Sequence, residues 1–323
     1  MIISRTPLRV SFCGGGTDID EFSMAESSGG RVVSTAINKY VYVTMNRRFD
    51  DRIRSSYSSM EDGDSISQIQ HGLVREALRL TGIESGVEIT TIADIPGRGT
   101  GLGSSSSVTV GLLNAMHSFQ GRSPSKEQLA EEACKIEIEI MGAPIGRQDQ
   151  YAASFGGMNS IRFGSGGVTV EPIEIENDLV SNISSNFTLV FTGMTRSASE
   201  VLSEESEDEQ DKSSRMRMIR EHADKAAIMF QNGDLDSIGG LLNETWNAKR
   251  GISSLITNQS IDELHGKVMS SGAKGAKLLG AGNGGFLLVY GDDGLREALQ
   301  LSLIHISEPT RRTPISYAVF CLK

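Results

Sequence analysis

The residues best equipped for chemistry in this 323-residue chain gather around glycines. In Ile95-Pro96-Gly97-Arg98-Gly99-Thr100-Gly101-Leu102-Gly103-Ser104-Ser105-Ser106-Ser107, glycines alternate with other residues and then give way to serines. Glycines without Cβ atoms let the backbone turn tightly and approach a ligand. A helix opening at the serines would aim free N–H groups and a positive dipole end at an anion, with hydroxyls in reach of phosphate or a bound Mg²⁺. No Gly-Lys-Ser/Thr follows, so this is not a Walker A loop, and the Rossmann glycine spacing is absent. A glycine-rich turn with ordinary serine capping is the plainer alternative. Gly280-Ala281-Gly282-Asn283-Gly284-Gly285 matches G-x-G-x-x-G literally, but the dinucleotide reading needs a helix next, and Phe286–Tyr290 reads as a strand. A loop between two strands, packed on another phosphate-binding loop, fits better; a plain hairpin turn is the alternative. Gly14-Gly15-Gly16, with Arg9 upstream and Thr17-Asp18 downstream, is either an anion-binding backbone nest or a tight strand-to-helix turn capped by Asp18.

The elements that must position these clusters follow from patterning. Pro7–Phe12 reads as a strand before the glycines, and Thr17 or Asp18 as the cap of a short helix through Met24. Arg31–Ile37 and Tyr40–Asn46 read as strands joined by an Asn38-Lys39 turn. Apolar spacing over Ile66–Leu80 predicts a helix, Val87–Ile92 a strand, and Val108, Leu112, Ala115, Met116 and Phe119 one face of a helix after the serines. Ser125 with Gln128 resembles a capping box for a helix towards Met141. Met158–Phe163 with Val168–Ile173, then Phe187–Thr192, Lys277–Leu279 and Phe286–Tyr290, read as strands. Ser197 to about Phe230, Leu235–Lys249 and Ile261–Ser270 read as helices, and the acidic run Glu204–Asp211 as a solvated loop or helix start. Strands early, helices late and no regular βαβ alternation predict an α+β fold.

Composition narrows the function classes. Lys+Arg 31 against Asp+Glu 41 gives a net charge of −10, which argues against nucleic-acid binding but allows a local pocket for one small anion. No apolar run approaches the roughly 18 residues of a membrane span. The N-terminus lacks a signal peptide, and three scattered cysteines make neither a disulfide framework nor a metal knuckle. A cytoplasmic protein is expected, with no membrane or nucleic-acid partner; a homo-oligomer is compatible with the sequence. The final stretch, Leu301–Lys323, resembles a translated transposase-type sequencing adapter and its primer, so residues 301–323 are set aside from fold reasoning, and the native chain is expected to run on differently from about Gln300.

Together, Thr6–Asp18, Pro96–Ser107 and Lys277–Gly285 resemble the three ordered motifs of the GHMP small-molecule kinases. The resemblance spans residues 1 to about 300. The opening, with R-T-P-L-R-V-S-F-C-G-G-G-T-D, is most similar to bacterial heptose 7-phosphate kinases and related sugar kinases. It implies a two-domain GHMP fold: a ribosomal-protein-S5-like ATP-binding domain over 1–180 and a ferredoxin-like domain over 181–300.

The resemblance also implies roles. Gly142–Gln150 is similar to the sugar kinases' G-x-P-x-G-x-x-D-Q segment, making Asp149 the catalytic carboxylate facing the attacking hydroxyl. Arg9 would pair with it and stabilise charge on the transferring phosphoryl group. ATP would lie on Pro96, Gly97, Gly99, Gly101, Leu102, Gly103, Ser104, Ser105 and Ser106. Mg²⁺ would bind Ser105, with Ser104 as neighbour, and Glu137, with Glu139 as fallback. Galactokinases carry glutamate and histidine where Gly15 and Gly16 stand, so a larger or phosphorylated sugar is expected against Gly14, Gly15, Gly16, Thr17 and Asp18. Arg147 and Arg196, with Arg98 and Thr195, would add charge for a substrate phosphate, and Gly282 and Gly284 complete the substrate set. The expected activity is ATP-dependent phosphorylation of the anomeric hydroxyl of D-glycero-D-manno-heptose 7-phosphate. Another acceptor (fucose, galactose, a small alcohol) and a non-catalytic binding relative are the competing readings.

Overall fold

The computed structural model describes residues 1–95, 99–195, 209–292, 294–304 and 318–319, with side chains described within residues 1–300. Two compact units take alternate pieces of the chain: 1–9, 38–97 and 103–156 form one, and 10–37, 98–102 and 157–323 the other. The boundary at residues 180 and 181 follows chain order, whereas these units interleave.

In the first unit, β1 (Ile2–Cys13) begins and β2 (Gly30–Arg47) ends. The later part of β2 pairs antiparallel with β5 (Val87–Ala93), β5 pairs parallel with β3 (Ile53–Ser56), and β3 pairs antiparallel with β4 (Met60–Gly63). Period-2 alternation buries Val41, Val43, Met45, Val87 and Ile89. The helices are α2 (Gly72–Thr81), α3 (Ser104–Phe119), α4 (Lys126–Cys134) and α5 (Gln148–Phe155), with a π-helical segment over Lys135–Ile140. Ser125 Oγ accepts from Gln128 N at 3.1 Å, so the N-cap expected there is formed.

In the second unit the earlier part of β2 pairs with β6 (Met158–Gly164), which turns back into β7 (Gly167–Pro172). A second antiparallel sheet runs β11 (Ala318–Val319), β8 (Phe187–Phe191), β10 (Phe286–Tyr290), β9 (Gly275–Leu278). Its helices are α1 (Asp20–Ser23), α6 (Asn177–Asn186), α7 (Glu209–Asn232), α8 (Asp236–Arg250), α9 (Gln259–Ser270) and α10 (Leu295–Ile304). Val190, Trp246, Val268, Ala276, Leu278, Leu287 and Val289 share one apolar core. Helices accompany two mostly antiparallel sheets, with β3–β5 as a parallel pair, in keeping with the α+β class.

Several elements differ from expectation. No turn interrupts β2 at Asn38-Lys39; it is one 18-residue strand. A tight hairpin turn wants positive φ, and among described residues Asn283 is the non-glycine that has it. The helix expected from Ile66 is split: Ile66–Gln68 form a 3-10 turn, the backbone extends at Ile69, and α2 begins at Gly72 with His71 as its N-cap, while Glu61 Oε2 accepts Gln70 N at 2.6 Å in the intervening stretch. The cap of α1 is Ile19, without a side-chain bond, since Asp18 Oδ1 accepts Gly16 N instead at 3.0 Å. Strands β3 and β4, at four residues each, and helix α6 had no prediction. Of the helix expected from Ser197 and its acidic run, 196–208 lie outside the described residues.

Candidate active site

Within the first unit, α3 opens at Ser104 directly after Gly103, as the serine run predicted. Asp149 lies in the first turn of α5, where the helix macrodipole favours an acidic side chain. Arg9, on β1, donates Nε to Asp149 Oδ1 at 2.7 Å and brings Nη2 to the same oxygen at 2.7 Å. The Arg9 side chain is 4% exposed and that of Asp149 25%, so the pair has a buried cationic end and an open acidic one. A Cβ on Gly103 would lie 3.4 Å from Asp149 Oδ2 and 3.2 Å from Arg9 Cγ, which puts the end of the glycine loop against the ion pair.

Glu137, in the π-helical segment, is 2% exposed, whereas Glu139 two residues on is exposed. The buried residue of the two is therefore the one that meets the serines. Ser105 Oγ donates to Glu137 Oε1 at 2.6 Å, Ser106 Oγ to Oε2 at 2.8 Å and Gln150 Nε2 to Oε2 at 2.7 Å. Burial pushes the Glu137 carboxyl above its ordinary range; the three donors pull it down, and the nearby Asp149 charge pushes it up again. Sequence reasoning assigned Gln150 no role; its place next to Asp149 in the D-Q pair was the available signal.

Among the described residues no three of His, Cys, Asp and Glu converge as a metal cage. Glu137 with Ser105 still fits Mg²⁺, which takes one or two protein oxygens and completes its shell with phosphate and water. A carboxyl destabilised by burial is also one that a cation would suit.

In the second unit the remaining loop glycines serve packing. A Cβ on Gly280 would stand 2.5 Å from Gly101 Cα, one on Gly101 2.6 Å from Leu279 O, and one on Gly285 2.4 Å from Thr100 O. The 280–285 loop therefore packs on the 99–101 stretch and runs into strand β10, as the sequence suggested. Gly282 and Gly284 are buried, Gly282 against the Ile256 backbone, and Asn283 N donates to Ile256 O at 2.8 Å. Gly99 and Gly101 are partly exposed; Leu102 is buried; Pro96, Gly97 and Arg98 lie outside the described residues.

Of the Gly14–Asp18 set, Gly15 and Gly16 are partly exposed, and Gly14, Thr17 and Asp18 are buried. Thr17 Oγ1 donates towards Gly14 O at 2.8 Å and Arg31 O at 3.0 Å and accepts Arg31 N at 3.1 Å, so its hydroxyl is spent on closing the turn. A Cβ on Gly14 would meet Arg31 O at 1.9 Å. Arg147 is partly buried just ahead of α5, Thr195 is exposed, and Arg196 lies outside the described residues. Lys277, from the third motif, is buried and donates Nζ to Ser11 O at 3.0 Å and Phe12 O at 2.8 Å, holding the end of β1.

The family model described as GHMP kinases N terminal domain matches residues 69–157. A D-glycero-alpha-D-manno-heptose 7-phosphate kinase of Campylobacter jejuni subsp. jejuni serotype O:2 is 30% identical over 309 residues, covering 90% of this chain and 89% of that protein. A crystal structure of a D-glycero-D-manno-heptose 1-phosphate kinase from Bacteriodes thetaiotaomicron superposes with a TM-score of 0.80 at 24% identity, covering 100% of this chain and 96% of that one. Lactococcus lactis galactokinase complexed with galactose gives a TM-score of 0.75 at 18% identity, over 99% of this chain and 93% of that one. The chain thus belongs to the GHMP family, as an ATP-dependent sugar kinase related to the heptose phosphate kinases.

Proposed function

We propose that the protein transfers the γ-phosphoryl group of ATP to the anomeric hydroxyl of D-glycero-D-manno-heptose 7-phosphate, for nucleotide-activated heptose and surface polysaccharide. The observation that carries the chemistry is the Arg9–Asp149 pair set against Gly103. Arg9 occupies Oδ1, and no donor among the described residues reaches Oδ2, so Oδ2 is the oxygen that accepts the acceptor's hydroxyl proton. The guanidinium holds the carboxylate in place and supplies positive charge for the transferring phosphoryl group. Phosphoryl transfer needs positioning and charge neutralisation more than covalent chemistry. When bound, Mg²⁺ would neutralise phosphate charge from Ser105 and Glu137. Gly99, Gly101, Gly103 and Ser104 would present backbone amides to the phosphates, with Leu102 and Ser106 supporting them from beneath.

Sugar-phosphate preference is supported by the name of the Campylobacter relative and by Gly15 and Gly16, which stand partly exposed without side chains. Arg147 and Arg196 are the proposed phosphate partners; Gly14, Thr17 and Asp18 shape the turn that presents Gly15 and Gly16, and Gly282 and Gly284 shape the loop packed on Thr100 and Gly101. An ADP-release assay over D-glycero-D-manno-heptose 7-phosphate, the unphosphorylated heptose, fucose and galactose tests this. The 7-phosphate is expected to lead in kcat/KM by at least about tenfold, the worth of one well-placed charge-assisted contact. Preference for fucose or galactose would move the acceptor; no ADP with any sugar would leave a non-catalytic binding protein.

A further inference from the structure

A carboxylate offers about four lone-pair positions, and the surroundings of Glu137 use them unevenly. Oε2 receives two donors, Ser106 Oγ at 2.8 Å and Gln150 Nε2 at 2.7 Å; Oε1 receives one, Ser105 Oγ at 2.6 Å. The donors on Oε2 are inaccessible, Ser106 being 2% and Gln150 0% exposed, whereas Ser105 is exposed. We propose that Ser106 and Gln150 are positioning residues: they lock Glu137 through Oε2 and so reserve Oε1, together with Ser105 Oγ, for a divalent cation carried in with the nucleotide. This rests on the kinase reading above and adds to it which oxygen binds and what holds it.

Chain order supports the division. Ser105 and Ser106 are neighbours in the first turn of α3, and Asp149 and Gln150 in the first turn of α5. In each pair the second residue is buried and donates to Glu137 Oε2, whereas the first stays open to solvent, Ser105 exposed with its hydroxyl on Oε1 and Asp149 with a quarter of its side chain exposed. Gln150 Oε1 is buried with no hydrogen-bond partner, so the amide's hydrogen bonding is directed at Glu137 through Nε2 alone. A buried amide with one satisfied end is a poor way to fill space, and a purposeful way to aim a carboxylate. Groups that orient a metal ligand in this manner typically govern metal affinity by 10–100-fold.

The test is Mn²⁺ binding to the full chain in the presence of ADP, read by electron paramagnetic resonance, for the unaltered protein, Ser106→Ala and Gln150→Met. It is accompanied by ADP binding in EDTA, melting temperature, and kcat and ATP KM across a Mg²⁺ titration. Each variant is expected to weaken Mn²⁺ binding about 10–100-fold, to keep ADP binding in EDTA within about twofold, and to regain most of its kcat at high Mg²⁺. Mn²⁺ affinity within twofold of the unaltered protein in both variants would overturn the proposal. So would a parallel fall in metal-free ADP binding and melting temperature, the sign of a merely structural role. Should Gln150→Met not fold, Ser106→Ala decides alone. An unaltered protein that binds ADP but no Mn²⁺ would overturn the cation reading as well; normal binding with unaffected variants sinks only the locking role.

Discussion

Arg9 places two guanidinium nitrogens on one oxygen of Asp149 and leaves the other to the open side. That asymmetry makes Asp149→Asn a sharp experiment. The asparagine keeps an oxygen for Arg9 yet cannot take a proton, so kcat is expected to fall about 10²–10⁴-fold while ATP KM moves little. Steady-state kinetics would show it, and an unchanged kcat would remove Asp149 from the chemistry. The same scale shows why glycines mislead. Gly14 stands in a conspicuous run, but a Cβ there would collide with Arg31 O. A glycine demanded by neighbouring backbone and one demanded by a ligand look alike as letters, and only the packing separates them. Glu137 is the first choice in the sequence and Glu139 its fallback, and the π-helical segment turns Glu137 inward.

Helices α7 and α8 meet through a buried polar contact with a definite pH dependence. The Thr245 hydroxyl donates to Leu241 O at 2.7 Å, so His222 Nδ1, 3.0 Å away, carries the proton that completes the contact. Burial pushes the His222 imidazole below its ordinary value, opposed by Glu244, whose Oε2 lies 3.6 Å from Nε2; Lys225 lowers it and Glu221 raises it. An unfolded histidine takes its proton near about pH 6.5 and the folded one only at lower pH. Stability is therefore full above that value and lost as pH falls through the window down to the folded pKa. His222→Gln is expected to flatten the fall in melting temperature between pH 7 and 5, with His265, shifted in the same direction, preserving part of it. Equal slopes in thermal melts of both proteins would refute this. Helices α3 and α9 were legible in the sequence, α3 from the serine run that follows its glycines although it is buried on most sides, and α9 from its apolar spacing. Continuity through Asn38-Lys39 was not, because sheet pairing on both sides of that dipeptide overrides its local turn preference.

At the scale of the whole chain, the interleaving of the two units has a direct experimental reading. The second unit needs residues 10–37, since Gly30–Thr35 pair with β6, and it also needs 98–102. Separate fragments 1–180 and 181–323 are each expected to lack a cooperative thermal transition in circular dichroism, although the sequence motifs suggest a cut there. Two cooperative melts would show that chain order, not the interleaved division, governs folding. The adapter-like segment touches this scale as well: α10 runs past Gln300 to Ile304, and Ala318–Val319 pair with β8, while residues 305–317 and 320–323 lie outside the described residues.

Gly101, Gly280 and Gly285 leave no room for even one methyl between two stretches of chain about 180 positions apart. Neither stretch can drift alone: a methyl gained on one side demands retreat on the other, and alanine at any of the three positions already collides with main chain. Laboratory evolution for new acceptors should therefore find its freedom elsewhere, at side chains such as Arg147, and keep returning glycine at these three points.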